Sequence, residues 1–151
     1  MAHERIFQLS TEPIAEDEVL RASNLYESEL LTTIANYVYD DGIERDEDIS
    51  SFVMSLNKDF IEKTQDYIIF KPGFRKDHFA IQYSQFKAIA QAMSIEDFTE
   101  ETTNLYHLRQ AIENQVGPII FLEYAQTFDE FVRSLFEGEK YYFGGVVGFH
   151  T

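Results

Sequence analysis

The sequence predicts an α+β domain with an α/β-like C-terminal part: a single small mixed sheet of about four strands, covered by about five helices. Three observations predict it. Short runs rich in β-branched and aromatic residues recur near both ends of the chain and in its middle. Longer amphipathic runs with helix-start signals lie between them. The last third alternates the two kinds: GPIIFLEY, then AQTFDEFVRSLFEGE, then KYYFGGVVGFHT, which reads as strand, helix, strand.

In chain order, Arg5-Ile6-Phe7-Gln8-Leu9 is a short strand, ended by the polar stretch through Pro13. Residues 14–23, with Glu16-Asp17-Glu18, read as a loop or a short polar helix. Asn24 and Glu27 resemble a capping pair, and Leu25, Tyr26, Leu30, Ile34, Tyr37 and Val38 then recur at helical spacing. That helix is expected to stop at Asp40-Asp41-Gly42, where acids at a C-terminus oppose the helix dipole. Asp46-Glu47-Asp48 place negative charge where a second helix begins, and Ile49, Phe52, Val53 and Leu56 supply its apolar face.

Asp66-Tyr67-Ile68-Ile69-Phe70-Lys71 is a strand followed by a Pro72-Gly73 turn. From Phe79 the pattern is ambiguous. Phe79, Ile81 and Tyr83 alternate as in a strand, whereas Tyr83, Phe86, Ala90 and Met93 recur as in a helix, so a helix is expected from about Ser84. Ser94 with Asp97 marks a further short helix. A longer one runs from about Asn104 with Leu105, Leu108, Ala111 and Ile112 inward, closed by Gly117-Pro118.

In the last third, Thr127-Phe128-Asp129-Glu130 matches the capping box. Phe128, Phe131, Val132, Leu135 and Phe136 form one apolar face, and Gly138 suits the left-handed stop. The flanking strands suit burial on both faces, and Gly144, Gly145 and Gly148 mark a bulge or the close approach of another backbone. The resulting order is β, α, α, β, α, α, β, α, β, and residues 118–149 are expected to form a right-handed parallel crossover.

A chain of 151 residues suits one domain. At that size roughly 68–70% of the unfolded surface can be buried. With 44% hydrophobic residues the composition is that of a folded protein, and 14 Phe and 9 Tyr predict an aromatic-rich core. The absence of cysteine excludes disulfides and thiolate metal sites. No apolar run reaches membrane-spanning length, and the N-terminus has no signal-peptide pattern, so the expected location is cytoplasmic.

A net charge of −15 argues against nucleic acid and against anionic membrane surfaces as partners. The charge is uneven: residues 1–57 carry 13 acids against 3 bases, residues 58–87 carry 4 against 6, and residues 88–151 carry 10 against 3. Only the middle segment is positive.

No catalytic signature is present, and no cofactor or metal is expected. Asp40, Asp41, Glu44, Asp46, Glu47 and Asp48 put six acids in nine residues, but the spacing fails the calcium-loop pattern. His3, His78, His107 and His150 show no i, i+4 pair. A histidine with Glu123 or Asp129 would form an acid–base pair if folding joined them. The glycines 144, 145 and 148 lack the G-x-G-x-x-G order and no helix is read after them, so a phosphate loop is not expected there. Lys71, Arg75, Lys76 and His78 form the one basic segment, a candidate contact for an anion or a partner.

These features favour a non-enzymatic interaction or regulatory protein whose acidic surface, Asp40 to Asp48 above all, meets a basic partner protein in an inhibitor- or immunity-like manner. The alternative is a small-molecule binder or enzyme in which two of His78, His107, His150, Glu123 and Tyr142 converge in a pocket. A weak homodimer is a third expectation, should the C-terminal strand lie at a sheet edge.

Overall fold

A computed structural model describes residues 4–28, 35–112 and 117–151. The strands are β1 (Glu4–Ser10), β2 (Tyr37–Tyr39), β3 (Ile61–Lys63), β4 (Tyr67–Phe70), β5 (Ile119–Phe121), β6 (Ala125–Thr127) and β7 (Lys140–His150). The helices are α1 (Arg45–Met54), α2 (Phe74–Ala92), α3 (Ile95–Thr99), α4 (Thr103–Ile112) and α5 (Phe128–Ser134). Among the described residues the α+β class and the five helices agree with the sequence reading, but the sheet has seven strands, where about four were expected. The extra strands, β2, β3 and β6, are three residues each, too short for a period-two pattern to stand out in sequence.

The sheet order is β3-β4-β7-β1-β5-β6, and β2 pairs with the far end of β7. β7 is the centre of the sheet. It is antiparallel to β1 along most of its length, to β4 near its start and to β2 at its end. Its residues are apolar on both faces, and from Phe143 to His150 all are buried. β7 is flanked on both sides, so the condition attached to the homodimer reading, a C-terminal strand at a sheet edge, does not arise.

The expected parallel crossover over residues 118–149 is also corrected. β5 turns back at once into the antiparallel strand β6, with Ile119 opposite Thr127. β5 runs parallel to β1 and β1 runs antiparallel to β7, so β5 and β7 point in opposite directions with β1 between them.

Two apolar clusters flank the sheet. On one face Phe7, Leu9, Ile120, Tyr141, Phe143 and Val146 pack against α1, the start of α2, and α5. Phe52 of α1 stacks on Phe7 with ring centroids 4.7 Å apart. Phe131 of α5 meets Phe70 at 5.6 Å and Tyr141 at 5.3 Å. The aromatic core expected from composition therefore exists, and truncating the fully buried Phe131 should cost about 3–5 kcal/mol. On the other face Ile6, Ile119, Val147 and Phe149 meet Leu20, Ala22 and Leu25, from a segment with 3₁₀ turns at Glu16–Glu18 and Ala22–Leu25.

The helix expected over residues 24–38 is not what the described part of that segment forms. Tyr37 and Val38 lie on β2, and Asn24 is inside the second 3₁₀ turn, where its Oδ1 accepts from Arg21 N–H at 2.8 Å. Leu30 and Ile34 fall outside the described residues. The Tyr37-Val38-Tyr39 alternation is a strand signal that the helical spacing masked. Asp40-Asp41-Gly42 accordingly follows a strand, and the dipole penalty does not arise.

α2 begins at Phe74, ten residues before the expected start, because Gly73 takes a left-handed φ of 99° that turns the chain out of β4. In the first turns of α2 Phe74, Arg75, Asp77, His78 and Phe79 have reduced exposure, and beyond them only Gln82, Phe86 and Ile89 do, at three-to-four spacing, while Ile81 and Tyr83 face outward. The outer half of α2 packs along α4 and not on the sheet. The start signals of two helices hold. Thr127 Oγ1 accepts from Glu130 N–H at 3.2 Å, and Asp97 Oδ2 accepts from Ser94 N–H at 2.8 Å.

Candidate functional site

The six acids of the 40–48 turn have separate fates. Asp40 accepts from Ala22 N–H with both carboxylate oxygens, at 2.9 and 3.2 Å, and so closes the 3₁₀ segment onto the turn. Asp48 pairs with Arg5 Nε at 3.0 Å, and Asp46 with Arg45 at 2.7 Å. Asp41, Glu44 and Glu47 remain on the surface. Glu44 shares a hydrogen bond with Glu47, and that bond with the nearby negative charge holds the Glu47 carboxyl above its ordinary range. Among the described residues no group of three or more His, Asp or Glu side chains is placed to hold a metal ion.

Beside this turn lies an open cleft of about 430 Å³ whose walls are Arg5, Tyr37, Tyr39, Asp41, Gly42 and His150. Strand register builds it. Tyr37 stands opposite His150 and Tyr39 opposite Gly148, while Arg5 stands opposite the same Gly148 from β1. The Tyr37 and His150 rings stack with centroids 4.8 Å apart, and Tyr39 tilts against His150 at 5.7 Å. Gly148 allows this, since a Cβ there would run into the Tyr39 ring. His150 is buried while Tyr37 is half exposed, so of the two stacked rings Tyr37 is the one open to solvent. Arg5 is held inside by Asp48, by Tyr39 Oη at 3.2 Å and by Glu4 O at 3.3 Å. Burial works against its charged form, but the hydrogen bond and charge of Asp48 outweigh that and push its pKa up.

Of the basic segment, Arg75 and His78 are engaged within the fold. Arg75 donates Nε to Val132 O at 2.8 Å, donates a second nitrogen to Leu135 O, and pairs with Glu137 at 3.5 Å. It therefore satisfies carbonyls at the C-terminal end of α5. His78 Nε2 meets Asp129 Oδ1 at 2.8 Å between the rings of Phe74, Phe79 and Phe128. Lys71 is half-buried and Lys76 exposed.

His78 and Asp129 form an acid–base contact of the sort the sequence raised. His107 is exposed, His150 belongs to the cleft at β2, Tyr142 packs edge-on to Tyr67, and His3 lies outside the described residues. The clefts that contain His150, Glu123 and Tyr142 are three different ones. Sequence reading missed Tyr37 and Tyr39 because the strand that presents them was taken for helix. No family model, curated protein or solved structure matches this chain.

Proposed function

We propose that the chain is a non-enzymatic interaction protein that binds a basic protein partner at the cleft beside β2, in an inhibitor- or immunity-like manner. The observation that carries this reading is the convergence of the Tyr37–His150 ring stack with Asp41 in one open cleft, next to the exposed Glu44 and Glu47. A ring face and a carboxylate together suit a lysine or arginine side chain: the ring quadrupole attracts the cation and the carboxylate pairs with it. Arg5 does not block the cleft electrostatically, because Asp48 already pairs its charge. The net charge of −15 would steer a basic partner toward any such site and speed association.

The test has two parts. N-acetyl-lysine methylamide, titrated into the protein, should shift the ring resonances of Tyr37 and His150, while the norleucine analogue should not. Immobilised protein should retain basic proteins from a lysate at low salt and release them at high salt. Retention should fall in a Tyr37→Ala, Asp41→Asn variant that remains folded. Salt-indifferent retention, or equal shifts from lysine and norleucine, would defeat the reading.

A further inference from the structure

A second cavity lies at the other end of β1, independent of the cleft beside β2. It occupies about 410 Å³ between α5 and the sheet, at the carboxyl ends of the parallel neighbours β1 and β5. That is where open sheets commonly receive ligands. Its apolar walls include Leu9, Leu122, Phe131 and Leu135, and its polar groups include Gln126 and Tyr141.

Gln126 is the amide that lines this cavity. It stands opposite Ile120, whose side chain belongs to the core on the α5 face, so the register turns Gln126 toward the same side. Only 4% of its surface is exposed, and its side-chain amide, which has no hydrogen-bond partner among the described residues, keeps contact with the cavity, since no buried side-chain nitrogen or oxygen among those residues lacks a partner. An amide at a cavity floor pairs with whatever fills the space, water or ligand, because leaving water without a partner is unfavourable. The primary amide offers a donor and an acceptor side by side, and both are available to whatever fills the cavity.

Tyr141 adds a second vector. Its oxygen accepts from Phe136 N–H at 2.8 Å, and among the described residues its own proton has no acceptor. Burial pushes the phenol pKa up, which keeps the hydroxyl a neutral donor. No lysine, arginine or histidine lines the cavity, and Glu123 stands exposed at its wall, so an anion meets no counter-charge there.

We propose that this cavity binds a neutral aromatic carboxamide or lactam. Its amide edge pairs with Gln126, its carbonyl accepts from Tyr141, and its ring lies against Leu122, Tyr124 and Phe136, lining side chains that keep exposed surface. A matched donor–acceptor edge is what a glutamine amide recognises when it pairs in two places at once.

Three probes of one shape separate the terms: benzamide, benzoate and toluene, each titrated into isotope-labelled protein and followed by NMR. Benzamide should shift the Gln126 side-chain amide resonances, identified by their loss in Gln126→Leu, and benzoate should not. Gln126→Leu and Tyr141→Phe should each weaken benzamide about 3- to 10-fold, the range of one neutral hydrogen bond, and Gln126→Leu should leave toluene as tight or tighter. If Gln126→Leu does not fold, the Gln126 side-chain amide is assigned by through-bond correlation to its own backbone, and the contrast between benzamide and benzoate there still decides. The proposal is overturned if benzoate binds as well as benzamide, if toluene matches benzamide in the wild type, or if Gln126→Leu keeps the benzamide affinity. It is overturned equally if no probe shifts the resonances, which would mean the cavity holds water alone.

Discussion

Arg45 donates Nε to the carbonyl of Gly144 at 2.7 Å, which ties the first residue of α1 to the middle of the central strand. A second nitrogen reaches Phe143 O at 3.3 Å. These carbonyls lie on β7 between the stretch paired with β4 and the stretch paired with β2. One guanidinium therefore takes the place of a missing strand partner. Arg45→Ala should destabilise the protein by about 1–2 kcal/mol, allowing for its partial exposure, whereas Asp46→Asn should change stability by less than about 0.5 kcal/mol because that ion pair is exposed. Urea unfolding of the two variants measures the contrast.

The bulge opposite Gln8 has a similar rigidity. Phe7 pairs with Val146 and Leu9 with Phe143, so Gly144 and Gly145 face the single residue Gln8. Gln8 Oε1 accepts from Gly145 N–H at 2.9 Å and Leu20 N–H at 2.7 Å, and its Nε2 donates to Glu18 O at 2.9 Å. A Cβ on Gly145 would meet the Leu20 carbonyl oxygen, which is backbone and cannot swing aside. Gly145→Ala is expected to cost about 3 kcal/mol, the upper end for overpacking, and Gly42→Ala about 1–2 kcal/mol. At Gly42 the space is open and only its φ of 77° is unfavourable for alanine. Thermal unfolding of both variants should rank them in that order; the reverse order would refute the packing argument.

His78 and Asp129 should be energetically coupled. Their side chains are 24% and 14% exposed, so their 2.8 Å contact is partly shielded from water. In a double-mutant cycle with His78→Ala and Asp129→Ala at neutral pH, the interaction energy is expected at about 1–2 kcal/mol. Simple additivity of the two single variants would show the contact to be incidental.

Acid should weaken the fold partly through Asp97. Hydrogen bonds from Thr102 Oγ1 at 2.5 Å and from Ser94 N–H at 2.8 Å hold its carboxyl below the usual aspartate range, although burial opposes this. The folded pKa is below the unfolded value of about 3.9, so the ionised form stabilises the fold above that pH, and the contribution is lost as pH falls through the folded pKa. Thr102→Val should therefore be less stable than the wild type at neutral pH, with the gap narrowing below about pH 4. A gap that stays constant with pH would remove Thr102 as the cause.

Some of this was legible in the residues. The caps at Thr127 and Ser94, the acidic start of α1, the glycine-marked bulge in β7 and the aromatic core all follow from local chemistry that a dozen residues carry between them. The sites were not legible. Tyr37 and Tyr39 became a site only because β2 pairs with the far end of β7, and Gln126 only because a three-residue strand turns it under α5. The partners of Arg75 were hidden because its acceptors, the carbonyls of Val132 and Leu135, are backbone atoms about sixty positions away that no side-chain pattern can reveal.

The amino-acid order alone determined that the chain is acidic, cysteine-free and α+β, and it placed most helix starts, because capping, charge near helix ends and hydrophobic period act over a few neighbouring residues. Strand order, the central position of β7 and the contents of both cavities were decided only by tertiary structure. Pairing between strands depends on register across long separations, and a shift of one residue would turn Tyr37, His150 and Gln126 to the opposite face.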